Sequence, residues 1–130
     1  MAVQIRYDNG LAHKIEAGSD LYLMPSRYEP CGLNQMYALK YGTVPVVRAT
    51  GGLDDTVEQW NPEHGTGTGF KFQRFETGEM LGAIDSALEA FKDKAIWERI
   101  MRNGMALNYG WEQPARQYSD LYEEVARKRA

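Results

Sequence analysis

The sequence has one cysteine, Cys31, and two histidines, His13 and His64, in 130 residues. A lone cysteine excludes an intrachain disulfide framework and a zinc knuckle, and it fits a reducing, cytoplasmic compartment. No apolar run approaches the roughly 20 residues that a membrane-spanning helix needs. No basic stretch followed by an apolar one opens the chain, so neither a membrane partner nor a secretory leader is expected. Blocks of Lys or Arg are also lacking. Fifteen basic against eighteen acidic residues leave a net charge of -3, and without a phosphate-tracking stripe no nucleic-acid partner is expected. Internal repeats and low-complexity segments are absent. Met1-Ala2 runs straight into a strand-like segment, as a cloned fragment would.

What remains is ordinary globular composition, 43% hydrophobic and 25% charged. That suffices for one domain with a core and is too little for two. Val3 to Tyr7 alternates apolar and polar residues and reads as a strand. Asp8-Asn9-Gly10 is turn chemistry, after which Leu11, Ala12, Ile15 and Ala17 suit a short helix ending at Gly18. Leu21 to Met24 is the compact apolar run of a buried parallel strand, stopped by Pro25-Ser26. Pro30 suits the first turn of a helix that carries Leu33, Met36, Tyr37 and Leu39 and closes at Gly42. Val44 to Val47 is the next strand, with Pro45 needing a non-pairing position.

Thr50-Gly51-Gly52 turns into a short helix around Leu53 to Val57. Asn61 to Gly69, rich in Gly and Pro, reads as a flexible loop, and Phe70 to Phe72 as a short strand. Helical periodicity then places Met80, Leu81, Ile84, Leu88 and Phe91, and later Ile96, Trp97, Ile100, Met101 and Met105, in the core. A last helix spans Glu112 to about Arg127, its basic end Arg127-Lys128-Arg129 complementing the helix dipole. Strands alternating with helices predict an α/β fold, a parallel sheet of the doubly wound, Rossmann-like kind with flanking helices.

Two strand ends carry the candidate chemistry. After Leu21 to Met24 comes Pro25-Ser26-Arg27-Tyr28-Glu29-Pro30-Cys31-Gly32-Leu33-Asn34-Gln35, a polar loop entering a helix with Gly near its start. After Val44 to Val47 comes Thr50-Gly51-Gly52-Leu53. Ligands of open α/β sheets bind beyond the carboxyl ends of the strands, where helix N-termini offer free N–H groups to phosphate. Each loop alone is equally a steric turn between strand and helix; together they form one edge long enough for a diphosphate and a sugar. His13, on a helix with no acid partner in view, and His64, in the loop, read as packing or surface residues.

These strings, with Tyr41-Gly42-Thr43-Val44-Pro45-Val46-Val47-Arg48 and Leu53-Asp54-Asp55-Thr56-Val57, resemble the bacterial glycogen synthase and plant starch synthase family of retaining, two-Rossmann-domain glycosyltransferases. The likeness runs from Val3 to about Val125, and Glu29-Pro30-Cys31-Gly32-Leu33 is its most specific part. The resemblance implies that residues 1–130 are part of the C-terminal, nucleotide-sugar-binding domain. The parent enzyme would transfer glucose from ADP-glucose or UDP-glucose to the non-reducing end of an α-1,4-glucan, in the cytoplasm or in a plant plastid.

It implies Glu29 as the catalytic carboxylate beside the transferred glucose, and Cys31 in the sugar pocket. Gly32, Leu33 and Asn34 would present a helix N-terminus to the diphosphate, and Tyr7 would stack on the base. Thr50, Gly51 and Gly52 would lie near sugar and phosphates. No metal or cofactor is expected. A second Glu, common in related transferases eight residues after the first, is here Tyr37; glycogen synthases commonly lack that carboxylate, which leaves the ribose contact undefined.

The resemblance further implies a strand order 3-2-1-4-5-6, with Val3 to Tyr7 as the third strand and Leu21 onward as the later ones. The first two strands, a set of diphosphate-neutralising Arg and Lys residues and the acceptor surface would lie elsewhere in the parent. The isolated chain is therefore expected to be inactive. Its bare Leu21–Met24 edge should recruit Val3 to Tyr7 or a second chain, with a homodimer favoured. Alternatives are a non-catalytic, self-associating structural fragment, or part of another retaining glycosyltransferase such as a sucrose-related one.

Overall fold

The structure is a computed structural model that describes residues 3–129; Met1-Ala2 lies outside the described residues. Three parallel strands, β1 (Leu21–Met24), β2 (Val44–Arg48) and β3 (Phe70–Phe72), form one sheet in the order β1-β2-β3. The register pairs Leu21 with Val44 and Val46 with Phe70. A parallel sheet with helices between its strands is the fold class expected.

Pro45 sits in the central strand yet breaks no ladder bond. Val44 N–H points toward the β1 side, donating to Asp20 O, and Ala49 N–H points toward β3, donating to Phe72 O. Alternation therefore turns the Pro45 nitrogen toward the β3 side, where pairing begins only at Val46.

Helix α1 (Asn9–Ala17) is capped by Asp8, whose Oδ1 accepts from Leu11 N–H. Helix α2 (Asn34–Tyr41) ends at a left-handed Gly42, as predicted, but starts four residues after Pro30. Gly32, at φ +73°, takes the chain out of helical geometry between them. Short α3 (Gly52–Thr56) follows β2, and α4 (Thr77–Phe91), α5 (Lys94–Ala106) and α6 (Glu112–Arg129) follow β3. Asp93 separates α4 from α5 by accepting from Ala95 and Ile96 N–H.

The main core joins Val44 and Val46 to Trp60, Phe70, Phe72, Ala83, Ala87, Trp97 and Ile100. Full burial of a side chain such as Val44 or Ile100 contributes roughly 1.5–3 kcal/mol. On the other sheet face, Val47 packs with Leu53 and Val57 of the α3 region.

Three expectations are corrected. Val3 to Tyr7 forms no strand and lies exposed. It does not add to the β1 edge, the neighbour it was expected to join, and among the described residues β1 pairs only with β2. The Asn61–Gly69 loop is strapped down: the Asn103 side chain donates to Gly65 O and Gly67 O at 3.2 and 2.9 Å. On α4 the buried stripe is Ala83 and Ala87 with Met80 and Ile84 beside it, whereas Leu81, Leu88 and Phe91 are exposed; on α5, Met105 is exposed too.

Candidate functional site

The two loops singled out in the sequence meet at the carboxyl ends of β1 and β2. Their contact is backbone against backbone. A Cβ on Gly51 would overlap the Glu29 carbonyl, and one on Gly52 the Cys31 carbonyl. Only glycine lets the loops approach this closely. Gly52 N–H donates to Glu29 O at 3.2 Å.

Side chains fix the remaining carbonyls of the first loop. Arg48, at the end of β2, donates through Nη1 to Arg27 O at 2.5 Å and Ser26 O at 3.4 Å, and through Nε to Gln73 O beyond β3. Arg48 thus ties together the segments that follow β1 and β3. Gln35, fully buried in the first turn of α2, donates through Nε2 to Cys31 O at 3.1 Å and Gly32 O at 3.0 Å. The same nitrogen reaches Thr56 Oγ1 at 3.0 Å, and Thr56 Oγ1 donates on to Gly52 O.

The loop carbonyls of Ser26, Arg27, Glu29, Cys31 and Gly32 are therefore all engaged by the protein body. The N–H groups of Cys31, Gly32, Leu33 and Asn34, in contrast, donate to no acceptor among the described residues. The result is a donor-rich strip at the start of α2, with the positive end of the helix dipole behind it. Leu33, the residue preceding the helix, has no capping side chain. Asn34 turns its side chain away to donate to Tyr22 Oη at 3.1 Å, leaving only its backbone at the strip.

Glu29 is half-buried, and its carboxylate makes no ion pair or hydrogen bond among the described residues. Cys31 is an exposed free thiol. Thr50 is half-buried, Gly51 exposed and Gly52 buried. Cationic character comes from Arg27 and Arg48, whose guanidinium carbons lie 6.0 and 5.8 Å from the Phe75 ring centre. Phe75 also lines a 230 Å³ pocket with Pro25, Phe72 and Met80 at this end of the sheet. Leu33 borders a separate cleft of about 450 Å³ that Tyr37, Tyr109 and Trp111 also line. A larger cleft, about 890 Å³, lies beside Trp60, Pro62 and Asp93 near the start of β3, away from both loops.

The structure thus brings together Glu29, Cys31, Gly32, Leu33, Asn34, Thr50, Gly51 and Gly52. Tyr7 stands apart: it is 94% exposed, and no hydrogen bond or ring contact among the described residues joins it to either loop. His13 has an acid neighbour after all, since Nδ1 lies 3.8 Å from Glu16 Oε2. Its ring packs 5.0 Å from that of Tyr37, which keeps it a packing residue. Burial pushes the Glu16 carboxyl above the usual carboxylate range, an effect His13 partly opposes.

Sequence reasoning passed over Gln35, Thr56 and Arg48. A signal existed for Gln35: it occupies the inward helical positions shared with Ala38 and Leu39, an unusual place for an amide.

The glycosyl transferases group 1 family matches residues 7–103. A glycogen synthase from Koribacter versatilis is 60% identical over 99% of this chain, which covers 27% of that protein. The catalytic domain of starch synthase IV from Arabidopsis thaliana, solved with ADP and acarbose bound, superposes with a TM-score of 0.85 at 37% identity, over 92% of this chain and 25% of that one. Sucrose-phosphate synthase from Thermosynechococcus elongatus superposes at 0.60 and 30% identity, over 84% of this chain and 26% of that one. The chain spans about a quarter of the length of the relatives it matches. No described helix is long and apolar enough to cross a membrane.

Proposed function

The chain belongs to the group 1 glycosyl transferases, and we propose that residues 1–130 are part of the C-terminal, nucleotide-sugar-binding domain of a retaining glucosyltransferase of the glycogen and starch synthase kind. The parent transfers glucose from ADP-glucose to the non-reducing end of an α-1,4-glucan, and acts in the cytoplasm. The observation that carries this reading is the locked loop pair, with carbonyls turned inward and the N–H groups of Cys31 to Asn34 left over. Developing negative charge on a diphosphate leaving group is stabilised by fixed backbone donors of this kind.

Glu29 is the catalytic carboxylate in this reading. Carried on the first loop, whose Glu29 carbonyl meets Gly52 of the second, it stabilises positive charge at the anomeric carbon or holds a glucose hydroxyl. Cys31 lines the sugar pocket, and Gly32, Leu33 and Asn34 face the diphosphate. Thr50, Gly51 and Gly52 border sugar and phosphates, and Tyr7 stacks on the base. The starch synthase match, solved with ADP and acarbose, supports this assignment. Further cations for the diphosphate and the acceptor surface belong to the rest of the parent, so the isolated chain is inactive. Its open β1 edge favours pairing into a homodimer, which sedimentation at micromolar concentration reads directly.

The test is glucose incorporation into a maltooligosaccharide by the full-length protein, with ADP-glucose and UDP-glucose compared side by side. ADP-glucose is expected to be the better donor. Glu29→Ala lowers kcat by about 10²–10³-fold with donor binding little changed, and Tyr7→Ala raises the apparent donor constant about tenfold through lost stacking. Absence of transfer from either donor overturns the reading, and near-normal turnover in Glu29→Ala removes that residue. The sucrose-phosphate synthase match supports one other reading, a sucrose-related transferase. Turnover confined to UDP-glucose, with none onto glucan, would favour it.

A further inference from the structure

We infer that Gln35 is a positioning residue, the internal clamp that sets the two site loops in one register. The inference rests on the glucosyltransferase reading for its functional consequence, though not for its geometry. Gln35 is fully buried, and its carboxamide spends all its bonding on one side. Nε2 holds Cys31 O, Gly32 O and Thr56 Oγ1, while Oε1 is buried with no partner. The assignment of nitrogen and oxygen follows from the neighbours. Thr56 Oγ1 gives its proton to Gly52 O, so all three groups around Nε2 act as acceptors, and the flipped amide would set oxygen against them.

The chain of bonds runs from the carbonyls of Cys31 and Gly32, through Gln35 and Thr56, to the carbonyl of Gly52. It therefore joins the first loop to the second from inside, behind the surface that bears the N–H groups of Cys31 to Asn34. Holding the Cys31 and Gly32 carbonyls inward is what turns the N–H groups of Gly32 and Leu33, which share their peptide planes, outward. The fit also explains Gly32. A Cβ there would collide with the Gln35 carboxamide, so the amide and the glycine occupy one space between them. Gln35 touches neither loop's outer surface, so its effect on the reaction passes through the loop backbone.

The full-length protein carries the test, as Gln35→Met, Gln35→Glu and Thr56→Val, each read in two ways. Hydrogen exchange by mass spectrometry should show faster exchange at the amides that bond into the two loops, Met36 and Tyr37 onto Leu33 O and Gly52 to Asp55 onto Glu29, Thr50 and Gly51 O, in all three variants, with residues 44–48 unchanged. Donor kinetics, measured well below the melting temperature, should show kcat/KM for the nucleotide sugar falling by roughly a hundredfold in Gln35→Met. Gln35→Glu, which keeps the shape and sets oxygen against the acceptors, should lose at least as much. Thr56→Val should lose less, and the Gln35→Met, Thr56→Val double variant no more than Gln35→Met alone.

Wild-type exchange in the variants overturns the clamp whatever the activity. Faster exchange with unchanged kcat/KM overturns the positioning role, and full activity in Gln35→Glu reduces Gln35 to a space-filler. If the wild-type protein transfers glucose from no nucleotide sugar, the functional reading fails, and the exchange experiment alone decides the clamp.

Discussion

Two loops of this chain both carry Gly and Pro and differ in which backbone groups they leave over. In the segment from Asn61 to Gly69, donors and acceptors are both consumed. Asn61 N–H bonds Thr66 O, Gly65 N–H bonds Asn61 O, Thr68 and Gly69 N–H both reach Glu58 O, and Asn103 takes the carbonyls of Gly65 and Gly67. In the segment from Pro25 to Leu33, only the carbonyls are consumed. The first is a structural strap and the second a surface on which the N–H groups of Cys31 to Leu33 are left unspent. Glycine content marks neither; the sign of the unspent hydrogen bonding does.

The sharpest way to break the contrast is Gly52→Ala. The added methyl overlaps the Cys31 carbonyl, so the site loops must part. Turnover of the full-length protein is expected to fall by about a hundredfold, measured as kcat/KM for the donor. Wild-type kinetics would mean that the loops need not touch.

Asn103→Ala tests the other loop. Two buried carbonyls lose their donor, at a cost of about 1–3 kcal/mol in denaturant unfolding, while turnover of the folded protein stays at the wild-type level. A large kinetic defect without a stability loss would erase the distinction between strap and surface.

The smallest effect concerns Glu16, outside both loops. Its folded-state pKa is raised above the unfolded value by burial, so the folded form holds its proton to higher pH. Stability is then fullest below the unfolded value near 4.5 and falls as pH rises toward the folded pKa. Glu16→Gln should flatten that fall in thermal melts across the acid range and leave donor kinetics unchanged. A melting profile in Glu16→Gln as steep as in the wild type would assign the pH dependence to other groups.

The sheet was legible in the sequence because its signals are local. The apolar runs at Leu21 to Met24 and Val44 to Val47, the stop at Gly42 and the two strand-end loops all declare themselves within a few residues. What escaped depends on distant partners. The strap over Asn61–Gly69 comes from Asn103, more than thirty residues onward, and nothing nearby announces it. Val3 to Tyr7 has strand-like alternation, but a strand exists only beside a neighbour, and β1 ends the sheet without it.

The α2 start was misplaced because Pro30 favours a first turn, whereas Gly32, at positive φ, delays it. Eight of the nine candidate residues lie on the two loops that the structure brings together. Tyr7 does not join them, and the amide behind them lay hidden among the apolar residues of α2.

The docking of Gly51 and Gly52 onto the carbonyls of Glu29 and Cys31 has a consequence for protein engineering. Neither loop has a shape of its own: each is the mould of the other, down to a methyl group. Transplanting the Glu29–Cys31 segment into another scaffold would carry over side chains without their placement. The transferable part is a discontinuous one, two loops plus Gln35 and Thr56, and lengthening one loop by a residue would demand a matching change in its mate.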